Sequence, residues 1–132
     1  MNAKHDLTKN QSLVLDALSD AHGPLSAYTI LDQLRDHGLR APLQVYRALE
    51  KLLEFGLVHR LESLNAFVAC RHPHCGEDST MAFAICERCG TVTEFFDDAL
   101  EKRLAKLAKS KRFRQHKTTI ELRGLCESCA AL

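Results

Sequence analysis

The segments Cys86-Glu-Arg-Cys89 and Cys126-Glu-Ser-Cys129 decide how the second half of this chain folds. Four thiolates in two CxxC pairs make a closed tetrahedral zinc site with soft ligands and no open coordination position. The 36 residues between the pairs exceed the usual zinc-ribbon spacing. We therefore expect a small folded unit between them, whose ends the metal ties together. A redox dithiol or unrelated buried cysteines are the alternatives, and the second CxxC pair favours structural zinc.

The length of 132 residues suits one ordinary domain or two small ones. A half of about 60 residues is marginally stable alone, which is a reason to expect a metal staple or a dimer. No apolar run approaches the length of a membrane span, and the N-terminus lacks a signal-peptide core. We expect a soluble, cytoplasmic protein with no membrane partner, in which cysteines bind metal rather than form disulfides.

The net charge of +1 conceals an uneven distribution. Residues 101–123 carry nine Lys or Arg against two Asp or Glu, mostly within 101–117. This basic run can contact phosphate, but a solvated helix face is the simpler explanation. Charge alone therefore does not identify a nucleic-acid-binding protein.

Residues 8–56 are predicted to form three helices. Thr8-Lys-Asn-Gln11 has the sequence of a capping box, and apolar residues at helical spacing follow it. Ser26 is suited to cap the second helix, and Pro42 to the first position of the third, which ends at Gly56.

The next two segments, Leu57–Glu62 and Ala66–Ala69, resemble the strands of a hairpin. Three helices followed by a hairpin predict a winged helix-turn-helix, which is a DNA-binding fold. A small helical bundle is the alternative on these residues alone.

The second half of the chain is predicted to mix short strands with one helix. Strands at 81–85 and 91–96 flank the first CxxC pair, so that this pair forms a knuckle between them. A helix at 98–110 places Leu100, Leu104 and Leu107 at core spacing. A strand at 118–123 brings the second CxxC pair to the first.

We therefore predict an α+β chain with a winged helix-turn-helix domain at 1–70 and a small α/β domain with a four-cysteine zinc site at 81–132. The polar segment 71–80 is predicted to connect them and to carry metal ligands.

A second group of side chains suited to metal binding surrounds this connector. A lone strand histidine, a lone cysteine or a lone glutamate usually has a structural or solvated role, but the Cys-x-His-x-His-Cys sequence argues for a site. A cysteine with histidine and carboxylate favours zinc over iron(II), manganese or magnesium. The candidates are His59, Cys70, His72, His74, Cys75 and Glu94.

The chain resembles the Fur family of metal-responsive bacterial repressors, and its zinc-uptake regulator branch most closely. The resemblance runs in family order from about Thr8 to Cys129. The matching segments are Leu25-Ser-Ala-Tyr28, Val45-Tyr-Arg-Ala-Leu49, Gly56-Leu-Val-His-Arg-Leu-Glu-Ser63, Cys86-x-x-Cys-Gly90 and Gly124-Leu-Cys-x-x-Cys129.

For DNA, the resemblance implies a homodimer that binds AT-rich palindromic operators, with the C-terminal domain mediating dimerisation. It implies that Tyr28 and Arg47 contact DNA, Arg47 reading base edges from the recognition helix, which fits an arginine fork on a purine. Tyr46 either touches a thymine methyl or packs on the second helix. We include Gln44, on the same helix, among the DNA-binding candidates.

For metal, the resemblance implies one structural and one regulatory zinc per monomer. The four CxxC cysteines match the structural ligands. His59, Cys70 and Glu94 match regulatory positions, but the family's fourth ligand, a histidine, falls near Ser79 here. We predict His74 instead, with His72 or Cys75 as alternates.

The resulting expectation is a zinc-responsive repressor of zinc-uptake genes, with no enzymatic activity and no small-molecule substrate. The zinc-deaminase HxE…PCxxC pattern is absent. The alternative is a repressor of the same family that responds to iron, manganese or peroxide. The segment Ser79-Thr-Met-Ala-Phe83 replaces the histidine-rich stretch of the iron-sensing branch, which argues against that alternative.

Overall fold

The computed structural model describes residues 6–71 and 80–132. The chain divides into two compact units, Met1–Cys70 and Arg71–Leu132. Among the described residues, none of the helices has the length and apolar character needed to cross a membrane.

The first unit is a winged helix-turn-helix, as predicted. Strands β1 and β2 pair antiparallel, with His59 opposite Val68, and a bridge between Leu25 and Phe67 adds a short third edge. The elements are α1 (Lys9–Asp20), α2 (Ala27–Leu34), a 3-10 turn (Arg35–His37), α3 (Pro42–Glu54), β1 (Val58–Leu61) and β2 (Ala66–Ala69).

Side-chain caps fix where the first two helices begin. The amide of Gln11 donates to Thr8 Oγ1 at 3.2 Å, and the amide of Thr8 donates back to Gln11 Oε1 at 3.0 Å. Ser26 Oγ accepts from the amide of Thr29 at 3.1 Å. The predicted capping box and the predicted Ser26 cap are both confirmed.

One continuous apolar core holds the three helices and the hairpin together. Helix α3 contributes its inner face, and Leu39, in the turn before α3, is fully buried. The core members are Val14, Leu18, Ala27, Ile30, Leu31, Leu34, Leu39, Val45, Ala48, Leu49, Leu52, Val58, Phe67 and Ala69.

The second unit is a three-stranded sheet with two helices. The strand order is β4-β3-β5, with β3 antiparallel to β4 and parallel to β5. Four elements match the predicted ones within one or two residues, whereas α5 was not predicted. The five elements of this unit are β3 (Thr80–Cys86), β4 (Val92–Phe95), α4 (Asp98–Ser110), β5 (Thr118–Gly124) and α5 (Glu127–Ala130).

Helix α4 does not bury the face that the sequence assigned to a core. None of its residues is buried; Leu100 and Leu104 are half-buried, and Leu107 is 47% exposed. Helical spacing correctly aligns the three leucines, but the single chain supplies too little apolar surface to cover them. The expectation that these leucines lie in a core is therefore wrong for the isolated chain.

Candidate metal centres and nucleic-acid interface

The first CxxC pair lies in the turn between β3 and β4. Cys86 is the last residue of β3, and Gly90 takes a left-handed conformation with φ of 81° that reverses the chain. The amide of Gly90 donates to the Cys86 carbonyl at 3.0 Å. The amide of Cys89 donates to Cys86 Sγ at 3.4 Å, which confirms the predicted knuckle.

Strand β5 brings the second CxxC pair to this knuckle. It pairs in parallel with β3 so that Gly124 lies opposite Cys86. Cys126 follows Gly124 by two residues. The amide of Glu87 donates to the carbonyl of Gly124 at 2.7 Å. Helix α5 is a single turn that carries Cys129 back to the same place.

The four sulfur atoms form one group whose size fits zinc. Each Sγ atom lies within 4.8 Å of the others, and the Sγ atoms of Cys89 and Cys126 are 3.8 Å apart. Zinc–sulfur bonds of about 2.3 Å in a tetrahedron require sulfurs about 3.8 Å apart. Cys86 and Cys129 are buried, while Cys89 is exposed, so one edge of the group faces solvent.

Three of the four thiols have shifted pKa values, two of them lowered and one raised. Hydrogen bonds from the backbone, first from the amide of Cys89 and then from that of Cys126, lower the pKa of Cys86 from 9.0 to about 5. The Thr91 hydroxyl, 3.0 Å from Cys89 Sγ, lowers the pKa of Cys89. Interaction with the Cys126 sulfur, followed by burial, raises the pKa of Cys129 to about 12. A metal ion is what allows all four to be thiolates together.

Two candidate regulatory ligands meet within the first unit. His59, on β1, is 7% exposed, and one of its ring nitrogens lies within 4.8 Å of the Cys70 sulfur. Cys70 follows β2 directly, and its amide donates to the carbonyl of Leu57 at 2.9 Å. The hairpin therefore positions both side chains at its base.

Glu94, the third candidate, lies on β4 of the second unit. It is half-buried and pairs across the strands with Phe83. Its Oε1 accepts a hydrogen bond from the amide of Arg71 at 3.0 Å. Arg71 is the residue that follows Cys70, so Glu94 is held at the point where the second unit begins.

The remaining regulatory candidates, His72, His74 and Cys75, lie outside the described residues. Only the thiolate of Cys70 can be a zinc ligand, so zinc binding there requires the reduced and deprotonated sulfur.

The outer face of α3 carries the candidate DNA-contacting residues. Arg47 is exposed, and Tyr46 beside it is 41% exposed. Tyr28, near the start of α2, is 64% exposed. These side chains are available to a partner, since the opposite face of each helix packs in the core.

Gln44, another DNA-binding candidate, also stabilises the start of α3, which the sequence analysis did not predict. Its Oε1 accepts hydrogen bonds from the amides of Arg40 and Ala41, at 2.7 and 3.0 Å. Both donors are backbone N–H groups, so the carbonyl end of the side chain must face them. A glutamine at the third position of a helix often accepts hydrogen bonds from the backbone amides just before the helix. Pro42 marks the start of α3 in the sequence and so places Gln44 at that third position.

The fold and the four-cysteine site together define a metal-binding winged-helix protein. A model of the Ferric uptake regulator family matches residues 3–123. The zinc uptake regulation protein of Escherichia coli K12 is 41% identical over 124 residues, which are 93% of this chain and 72% of that protein. The chain belongs to the Ferric uptake regulator family.

Two solved structures resemble the chain over nearly its whole length. Holo XcZur has a TM-score of 0.86 and 42% identity, covering 96% of this chain and 87% of its own. A zinc uptake regulator complexed with zinc and DNA has a TM-score of 0.85 and 39% identity, covering 94% and 83%.

Proposed function

We propose that this protein is a zinc-responsive transcriptional repressor of the bacterial cytoplasm. It binds operator DNA as a homodimer when its regulatory site is loaded, and it thereby controls zinc-uptake genes. The observation that carries the proposal is the pairing, in one chain, of an exposed arginine on a recognition helix with side chains suited to zinc. The relatives named for zinc uptake, one of them complexed with zinc and DNA, support the same conclusion.

Cys86, Cys89, Cys126 and Cys129 hold the structural zinc in this proposal. Their sulfur spacing fits a closed tetrahedral site, and four protein ligands leave no position for a substrate. This argues against a zinc enzyme, which needs an open coordination position. The ion ties the end of β5 and α5 to the β3–β4 turn.

His59, Cys70 and Glu94 hold the regulatory zinc, with His74 as the fourth ligand and His72 or Cys75 as alternates. The support comes from each unit separately. His59 lies beside Cys70 in the first unit, and Glu94 binds the amide of Arg71 in the second. Because residues 70 and 71 are consecutive, both sets of ligands border the junction between the units. Zinc there would link their relative orientation to metal supply.

The thermodynamics of this response are reciprocal. Zinc must bind the DNA-competent form more tightly than other forms, and DNA then tightens zinc by the same factor. A coupling of about 1–3 kcal/mol per site corresponds to about 5–150-fold in affinity. Two regulatory sites in a homodimer compound this factor.

On DNA, Arg47 reads a base edge in the major groove from α3, and Tyr28 supports it from α2. Tyr46 and the amide nitrogen of Gln44 are the neighbouring contacts. An AT-rich palindrome matches a two-fold symmetric dimer with one recognition helix per half-site.

The test is a DNA-binding titration of the reduced, full-length protein with each metal in turn. Zinc should promote binding at the lowest free concentration, with iron(II) and manganese far behind. Arg47→Ala should abolish operator binding while leaving zinc content and dimerisation intact, and the exposed Glu50→Ala on the same helix serves as a control. Tight operator binding by Arg47→Ala would exclude the assigned recognition residue.

A second variant separates sensing from folding. Cys70→Ser should stay folded and keep its structural zinc, yet bind DNA poorly at any physiological zinc concentration. Unchanged zinc dependence in this variant would remove Cys70 from the sensor. A response to iron, manganese or peroxide instead of zinc would favour the alternative within the same family.

A further inference from the structure

The outer face of α3 carries more than its arginine. Positions 43, 46, 47 and 50 follow helical spacing, and all four side chains are exposed. The opposite face is buried through Val45, Ala48, Leu49 and Leu52. The core therefore fixes how the helix is rotated and which side chains it presents outward.

Leu43 is the unexplained member of this face. Its side chain is 57% exposed at the second position of the helix, where a polar residue would cost nothing in packing. A single exposed leucine needs no explanation, but Leu43 adjoins Tyr46, 41% exposed and one turn further along. Together they give the start of α3 an apolar surface beside Arg47.

The start of α3 is also held in place. Gln44 Oε1 accepts from two consecutive backbone amides just before the helix, and Pro42 supplies a preset φ. Leu39, three residues before Pro42, is fully buried. Leu43 thus projects from a fixed first turn, which is the part of a recognition helix that meets base edges.

We propose that Leu43 determines operator specificity by contacting the C5-methyl group of a thymine in the major groove. An apolar side chain against this methyl is one of the direct ways in which proteins distinguish T·A from other pairs. The inference rests on the proposed function, because it places α3 in the groove. It adds a specificity residue that neither the family resemblance nor the charge pattern indicates.

The geometry limits where this thymine lies. Side chains four residues apart on a helix have Cβ atoms about 5–6 Å apart. Successive base pairs are separated by about 3.4 Å. Leu43 therefore contacts a thymine about one or two base pairs from the base that Arg47 reads.

The experiment removes the methyl group and nothing else. A duplex is selected from a randomised pool with zinc-loaded wild-type protein, and each thymine is replaced in turn by deoxyuridine. Arg47's base is located by replacing each guanine with 7-deazaguanine. Affinities are then measured for wild type, Leu43→Ala, Leu43→Met and Tyr46→Ala, which removes the neighbouring aromatic ring.

Wild type should lose about fourfold in affinity at one thymine per half-site, which corresponds to one methyl group removed from apolar contact. Leu43→Ala should bind both duplexes equally, at the weaker level. Leu43→Met should keep the methyl sensitivity, and Tyr46→Ala should keep it even if its overall affinity falls. Melting temperatures near wild type for all three variants would show that the effects are on DNA contact and not on folding.

Two results would overturn the inference while leaving the proposed function standing. Wild type could be indifferent to every methyl group, or Leu43→Ala could retain full sensitivity to the same thymine. In the second case, loss of sensitivity in Tyr46→Ala would assign the methyl contact to Tyr46. Failure to enrich any duplex would contradict the proposed function, and the inference with it.

Discussion

The two units of this chain differ in what holds them together. In the first unit, buried side chains from all three helices and the hairpin form one apolar core. In the second, the buried apolar side chains among described residues come from β3 and from Cys129, while α4 contributes none. The first unit resembles an ordinary small domain, whereas the second buries far fewer apolar side chains among the described residues.

The difference gives a reason for the position of the cysteines. In the proposed protein, a zinc ion bound to the four sulfurs would join the end of β3, the following turn and the segment after β5. A structural zinc supplies folding free energy directly, and a small domain with little core needs such a source. In the proposed protein, metal–ligand bonds stabilise the second unit in the way that apolar packing stabilises the first.

The largest expected effect is that of metal removal. Strong chelation should abolish protection from hydrogen exchange in β3 and β5 and leave α1, α2 and α3 protected, because structural zinc supplies about 10–16 kcal/mol of apparent binding free energy. Exchange measured by mass spectrometry locates the loss. Cys129→Ser should imitate chelation, whereas Ser128→Ala, also on α5, should not. Full protection of β5 without metal would show that the second unit does not need zinc to stay folded.

Two leucines, one in each unit, test how much apolar packing contributes to the stability of that unit. Leu49→Ala should cost about 2–5 kcal/mol of unfolding free energy, because the side chain is 1% exposed in the first core. Leu107→Ala, at 47% exposure on α4, should stay within about 0.5 kcal/mol in the monomeric unit. Denaturant unfolding at several protein concentrations measures both. A larger, concentration-dependent cost at Leu107 would show that a second chain covers α4.

Proton release should accompany zinc binding to the four-cysteine site. Cys129, whose pKa is raised to about 12, keeps its proton from pH 6 to 8, whereas Cys86, whose pKa is lowered to about 5, has already lost its own. Zinc must therefore displace at least one proton, so its affinity should rise at least about tenfold per pH unit, or about 1.4 kcal/mol. Calorimetry in two buffers of different ionisation enthalpy counts the protons. Binding without proton release would contradict this assignment.

The smallest expected effects come from two helix caps, one in each unit. Thr8 caps α1, and Asp97 caps α4 by accepting from the amides of Ala99 and Leu100. Each replacement by Ala should cost about 1 kcal/mol. Thr8→Ala should lower only the stability of the first unit and Asp97→Ala only that of the second, as followed by hydrogen exchange. Equal loss in both units would show that they unfold together.

Much of the fold could be predicted because its signals are local. The capping box at Thr8, the Pro42 start and the hairpin each depend on a few neighbouring residues. The knuckle followed from the CxxC spacing. Helix α5, with four residues, is too short to show any periodicity, and Leu39 is buried by tertiary contacts that its turn-like sequence conceals.

The candidate sites also contain some features that the sequence predicts and others that only the folded structure reveals. The four cysteines could be predicted as a group because their spacing carries the chemistry. The back-bond of Gln44 and the hydrogen bond from Arg71 to Glu94 depend on how the chain folds, so the sequence alone did not indicate them. The regulatory ligand set stays a prediction, and its fourth member is not at the family's position, since Ser79 stands where the family's histidine is expected.

The most direct test of the whole account is the number of zinc ions per monomer, measured by native mass spectrometry before and after mild chelation. The protein is kept reduced so that Cys70 is available. We expect two zinc ions to fall to one while the homodimer persists and operator binding disappears, with recovery when zinc is returned. A single zinc that never exchanges, or iron in the exchangeable position, would contradict the proposal of a zinc sensor built on a zinc-stapled fold.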